Sequence, residues 1–196
     1  MHPLFSSVID KIARLPGLGP RSARRILMHF MKNQHNLLYP LIQELERLSK
    51  NLKICPTCHN MDMTAPCDIC ANRQRFNHQL CIVGDINDLW AIEKTSIYSG
   101  KYHVLGGILS AVQGMGPDQL NTKTLLKRVE EGNVQEIIIA LNPTLDGQVT
   151  IGYISDLLKD FDGSITTLAH GVPLGAELEY IDDSTLSLAF RQRKTA

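Results

Sequence analysis

The sequence predicts a multi-part α+β chain: an N-terminal helical region, a small four-cysteine finger, an α/β region with a mainly parallel sheet, and a short strand/helix tail. Three observations carry this reading. The first third is basic and helix-periodic, four cysteines fall within sixteen residues, and from Leu80 onward apolar runs alternate with amphipathic ones.

The composition suits a globular protein able to bury a core, with 43% hydrophobic and 20% charged residues. No apolar run approaches the roughly 20 residues of a membrane span, and the first residues, Met1-His2-Pro3-Leu4-Phe5-Ser6, lack the pattern of a secretory signal. A cytoplasmic location with no membrane partner is therefore expected, and reduced or metal-bound cysteines with it. A formal net charge of zero conceals an asymmetry. Residues 1–53 hold nine Lys and Arg against three acids, whereas residues 81–196 hold nine against fifteen. A polyanion-binding first third explains the segregation. A basic face that pairs with the acidic part is the alternative.

Residues 6–15 form an amphipathic helix, with Val8, Ile9, Ile12 and Leu15 on one face. Pro16-Gly17-Leu18-Gly19 breaks it. Pro20 opens a second helix over about 20–31, since its missing N–H would lack a partner there in any case. A third spans about 37–52, with Leu38, Leu41, Ile42, Leu45 and Leu48 as its apolar stripe.

The break itself is chemically suggestive. Gly17 and Gly19, two apart, let the chain turn tightly and leave bare amides at a helix start, which is an anion site by geometry and dipole. Arg21 and Arg25 are one helical turn apart and can grip one phosphate path, with Arg24 beside them. An ordinary glycine-containing helical corner is the plain alternative. The basic helix and the charge segregation favour sequence-independent binding to a DNA backbone.

The cysteine segment reads Cys55-x2-Cys58-x8-Cys67-x2-Cys70. A C-x-x-C pair turns two thiolates toward one ion, and two such pairs complete a tetrahedral site suited to one structural Zn2+. Pro56 and Pro66 stiffen the turns. Compartment disfavours disulfide pairing, and a redox motif would need only one pair near a strand–helix junction; an iron–sulfur cluster is the further alternative, with no other redox feature to support it. His59 and His78 flank the site without being needed as ligands, and Cys81 reads as a small core residue.

Beyond the finger the expected order is a strand at Leu80–Val83, a helix at about 86–94, and a strand at Tyr102–Leu105 followed by the loop Gly114-Met115-Gly116-Pro117-Asp118. A helix at 122–131, a strand at Glu136–Leu141, a helix at 148–160 and a strand at 164–169 continue the series. Strands separated by helices imply a parallel sheet covered on both faces. In the tail, 178–181 reads as one more strand and 184–190 as a short helix.

Taken together, the run Leu15-Pro16-Gly17-Leu18-Gly19-Pro20-Arg21-Ser22-Ala23-Arg24-Arg25 resembles a helix-hairpin-helix motif, and the chain resembles the RecR family of recombination mediators. The hairpin, the finger, an α/β region similar to a Toprim domain and the segment Ala169–Glu179 stand in that family's order across nearly the whole sequence. The resemblance divides the chain into a DNA-binding region over 1–53, a zinc finger over 54–71, a Toprim-like domain over 79–174 and a tail over 175–196. It implies a role in gap repair with RecO and RecF, and a ring-shaped homo-oligomer, expected as a tetramer, clamped on gapped DNA at junctions of single and double strand.

Toprim domains that do chemistry hold Mg2+ through a glutamate after the first strand and an Asp-x-Asp pair after a later one. Here Gly84 stands at the glutamate position, followed by Asp85, and the later pair is replaced by Asn142 and Thr144, with Asp146 nearby. Ile108, Gln113 and Thr167 also depart from the family pattern. No phosphate-cradling Walker sequence is present. A scaffold rather than an enzyme is expected. A metal-dependent DNA-processing enzyme with a degenerate site, and a zinc protein that binds only other proteins, are the alternatives.

Overall fold

A computed structural model describes residues 1–169 and 171–193. His170 of the Ala169–Glu179 segment and residues 194–196 of the tail lie outside the described residues. The chain divides into two units, Met1–Leu52 and the remainder from Lys53.

The first unit is helical. Helix α1 spans Pro3–Ala13, with Pro3 in its first turn and the His2 imidazole accepting the Leu4 N–H. It ends two residues earlier than its apolar stripe, because Arg14 and Leu15 bond back over three residues as the chain turns. Helix α2 spans Pro20–Lys32. The two pack through Ile9, Ala23 and Leu27, with Val8, Ile12 and Met31 around them. Ala23 is completely buried and lets the helices approach closely. A π-helical turn, Gln34–Leu38, precedes α3, Tyr39–Asn51. Of the stripe expected on this third helix, Leu38 lies in the π-helical turn and is half-buried, while Leu41, Ile42, Leu45 and Leu48 are all exposed.

The second unit opens with a two-stranded hairpin, β1 (Lys53–Ile54) against β2 (Met61–Asp62). Lys53, grouped above with the helical region, is thus the first residue of the finger hairpin. A single helical turn, α4, covers Asp68–Ala71. The sheet follows, with β3 at Phe76–Val83, β4 at Gly100–Val104, β5 at Glu136–Ala140 and β6 at Ser164–Thr167. Its order is β4-β3-β5-β6, and every pairing is parallel. Parallel neighbours need long crossovers. Helices α5 (Ile86–Lys94), α6 (Thr122–Glu131) and α7 (Leu145–Leu157) lie in them.

Strand alternation distributes the core between two faces. Leu80, Ile82, Ile137 and Ile139 pack with Leu125, Ile154 and Leu158, while Cys81, Val83, Tyr102, Val104 and Ala140 pack with Leu89. Each aliphatic side chain removed from water on these faces contributes roughly 1.5–3 kcal/mol. Cys81 is the small core residue its strand suggested, and burial pushes its thiol up to about 12.

The ends of α5 and α6 agree with the sequence reading. Helix α7 starts at Leu145, three residues earlier than expected, because the Thr144 hydroxyl caps it by accepting the Gly147 N–H at 3.1 Å. The tail corrects one expectation. Residues 178–181 are not a strand: Leu178–Tyr180 form a 3-10 turn. Their backbone bonds close locally, Tyr180 to Glu177 and Ile181 to Leu178, and exposed Leu178 and Tyr180 have no sheet face to alternate across. Helix α8, Asp183–Arg191, follows, with Asp182 as its cap.

Candidate metal centre and nucleic-acid interface

The finger brings together the four cysteines that the spacing singled out. At the first pair, the Cys55 N–H donates to Asn60 O at 2.8 Å and the His59 N–H to Cys55 O at 2.9 Å. His59 adopts a φ of 62°, in the left-handed region, and so closes the knuckle. The second pair sits at α4, with Cys67 before its first residue and Cys70 within it. Asp62 ties the two halves together by accepting the Asp68 N–H at 2.9 Å.

The Sγ atoms of Cys55, Cys58, Cys67 and Cys70 all lie within 4.8 Å of one another. Those of Cys58 and Cys67 are 3.5 Å apart. A tetrahedral Zn2+ with bonds near 2.3 Å puts its sulfurs about 3.8 Å apart, so the cluster fits that ion. Cys55, Cys58 and Cys67 are fully buried, and the Cys67 N–H points at Cys55 Sγ at 3.4 Å. The crowding shows in the acidities. Its hydrogen bond with Cys67 raises Cys58 far above the usual thiol range, while the same bond, with one from Cys70, holds Cys67 far below it. Four sulfurs this close cannot all carry negative charge unless a cation lies among them.

Neither nearby histidine joins the cluster. His59 Nε2 is 2.7 Å from Thr124 Oγ1, and its ring meets the His103 ring edge to face. His78 packs against Phe76. Among the described residues, the four cysteines are the one group of three or more His, Cys, Asp or Glu side chains placed to share an ion.

The structure also shows a residue that motif spacing did not reveal. Lys101 in β4 is buried, and its ammonium donates to Ile69 O at 2.9 Å, Cys70 O at 3.1 Å and Asn72 O at 2.7 Å. Desolvation lowers its pKa. Its one trace in the sequence is a lysine directly before the strand expected at Tyr102–Leu105.

At the carboxyl ends of the strands, two of the Toprim-position residues, Asp85 and Thr144, are engaged in helix capping. Asp85 caps α5, its carboxylate accepting the Asn87 N–H at 2.9 Å and the Asn87 amide at 2.7 Å. Asp88 completes the box by accepting the Asp85 N–H at 3.2 Å. Thr144 caps α7, as described above. At Gly84 a Cβ would meet the Ile108 methyl at 3.3 Å, so this strand end is closely packed as well.

In the first unit, Gly17 has a φ of +75°, which the tight turn between α1 and α2 requires. Gly19 is ordinary extended backbone at the cap of α2, with open space where a side chain would stand. No side chain caps this helix start, and no acid lies in its first turn. Arg21, Arg24 and Arg25 are all exposed. No carboxylate among the described residues of the unit lies within ion-pair distance of them.

Family comparisons agree with this anatomy. The model for the four-cysteine zinc finger domain of RecR matches residues 52–72, that for the Toprim domain matches 78–169, and that for the RecR C-terminal region matches 171–194. The finger match contains all four clustered cysteines, and a structural zinc ion is the cofactor that both findings support. Among curated relatives, Recombination protein RecR of Hyphomonas neptunium is 47% identical over 192 residues, covering 98% of this chain and 96% of the relative. That of Brucella ovis is 46% identical over 193 residues, with 98% and 96% covered. That of Ehrlichia chaffeensis is 45% identical over 189 residues, with 96% and 97% covered. With relatives this similar over nearly its whole length, the chain belongs to the RecR family.

Proposed function

We propose that the chain acts in DNA recombination and repair as a non-catalytic clamp, binding gapped DNA at single-strand/double-strand junctions and working with RecO and RecF in the cytoplasm. The name shared by its relatives, a recombination protein, supports the general role. The observation that carries DNA binding is the α1–α2 hairpin. Gly17 and Gly19 leave the uncapped start of α2 open, and Arg21, Arg24 and Arg25 surround it. Backbone N–H groups and guanidinium groups arranged this way suit phosphates rather than base edges.

The domain division follows the same reading, with a DNA-binding hairpin region, a zinc finger held by Cys55, Cys58, Cys67 and Cys70, a Toprim-like domain and a tail. A ring-shaped homo-oligomer, a tetramer, is part of the proposal. The uncovered stripe of α3 and exposed Leu174, Tyr180 and Phe190 are apolar surface that such an assembly would bury. Among the described residues no helix is long and apolar enough to cross a membrane.

The scaffold reading is supported by what the Toprim positions do. Asp85 is occupied as a helix cap, Asn142 and Thr144 supply no carboxylate, and a hard divalent cation prefers several anionic oxygens. The test combines solution mass, with and without gapped DNA, with a mobility shift at low salt and an assay for phosphodiester cleavage with Mg2+ or Mn2+. The proposal expects an oligomer that shifts gapped DNA and leaves it intact. A monomer with no shift, or metal-dependent cleavage, overturns it.

A further inference from the structure

Strand β4 lies at the edge of the sheet, yet all five of its residues are buried. An edge strand ordinarily presents a row of N–H and C=O groups that can pair with another chain. Here the outward carbonyls are taken. Gly100 O accepts from Arg75 Nη1 at 3.0 Å, Tyr102 O from Arg128 Nη1, and Val104 O from the Asn121 amide at 3.1 Å. The Val104 N–H donates to Cys58 O at 2.8 Å, so a metal-ligand residue supplies backbone pairing to the rim.

The other half of the metal centre is fastened to the same strand. Lys101 holds the Ile69, Cys70 and Asn72 carbonyls at the end of α4. Ile69 packs against the cysteines on one side and against the Cys81, Tyr102 and Val104 cluster on the other. We infer that the finger is a metal-held cover for the open edge of the sheet, and that Lys101 is the residue that positions it. The ion joins the Cys55–Cys58 knuckle to the Cys67–Cys70 turn. Cys58 O therefore stays opposite the Val104 N–H, and the α4 carbonyls opposite Lys101, only while both knuckles share the ion. Zinc occupancy thereby decides whether the Val104 N–H and the Lys101 side of β4 stay covered, while Arg75, Arg128 and Asn121 hold the rim carbonyls in either state.

Hydrogen exchange on the full chain, zinc-loaded and then stripped by a chelator in reducing buffer, tests this. Removal of zinc is expected to deprotect the finger and residues 100–104 together, while β5 at 136–140 stays protected. With metal bound, Lys101→Met is expected to release zinc to a chromophoric chelator about tenfold faster or more, the scale seen when a group supporting a metal ligand is lost. It should also alter the visible bands of the Co2+-substituted protein, and Lys101→Arg should restore most of both. Unchanged protection at 100–104 after stripping overturns the cover. Loss at 136–140 in step with 100–104 also overturns it, because zinc would then hold the whole fold. Zinc release from Lys101→Met at the wild-type rate overturns the role of the lysine. The wild-type measurement decides on the cover even if Lys101→Met does not fold.

Discussion

Removing Arg21 and Arg25 together gives the most direct test of the hairpin. Both guanidinium groups are exposed, lie one helical turn apart on α2, and face no carboxylate within the described part of their unit. Each phosphate contact contributes about 0.9 to the slope of log affinity against log salt on duplex, and about 0.7 on single strands. The double alanine variant should therefore flatten the slope by about 1.8 or about 1.4 for each chain that reaches the DNA. Between 50 and 200 mM salt, 1.8 units of slope correspond to roughly a tenfold difference in affinity loss. The change grows in proportion if several chains of an oligomer engage at once. Fluorescence anisotropy with gapped, duplex and single-stranded oligonucleotides over that salt range reads the slope directly. The loss should be similar on unrelated sequences, because phosphate contacts carry no base information. Zinc content and thermal midpoint should not move, since neither side chain is in the core or the finger. An unchanged salt slope in the well-folded variant would refute the reasoning, and the hairpin would then be a structural or oligomerisation element.

Three further predictions concern the second unit. Replacing Cys58 or Cys67 with serine should abolish zinc by elemental analysis and cause aggregation or local unfolding, since structural zinc sites supply roughly 10–16 kcal/mol of apparent binding energy in small peptides; full zinc content in either variant would refute the assignment. Burial pushes the His103 imidazole down to about 3, against a partly opposing bond to Asn121 O. Because its folded value lies below the ordinary 6.5, the unfolded chain binds the extra proton between those limits, and stability must fall as pH drops through that window. Denaturant titrations of wild type and His103→Asn from pH 7 to pH 5 should diverge by up to about 1.4 kcal/mol per pH unit, with wild type the steeper; parallel curves would contradict the burial argument. Asp85→Ala should cost about 1 kcal/mol through loss of the α5 cap while leaving DNA binding intact. Cleavage of DNA by the pure protein with Mg2+, abolished by Asp85→Ala or Asp146→Ala, would show instead that these carboxylates serve catalysis.

The features legible in the sequence are those set by local chemistry. Two C-x-x-C pairs within sixteen residues leave few arrangements other than convergence on one ion, and the structure gathers those sulfurs as the spacing implied. Helices α5 and α6 declare themselves through apolar periodicity and nearby caps, and β3 and β5 through short apolar runs. Gly17 announced a turn because a positive φ there favours glycine. What the sequence could not reveal are relations between distant residues. Lys101 reaches carbonyls about thirty positions earlier, and His59 meets Thr124 across 65. A lysine in a strand carries no sign of which backbone will surround its ammonium. The strand expected at 178–181 failed for the related reason that alternating apolar residues form a strand only beside an open sheet edge. The α3 stripe was correctly seen as apolar, but amphipathicity specifies a face to be covered and not the surface that covers it. Sequence alone therefore determined the ligands, the turns and most helices, whose causes lie within a few residues. Tertiary structure decided which strand became the edge and that the finger lies against it, because both depend on contacts made only when remote segments pack.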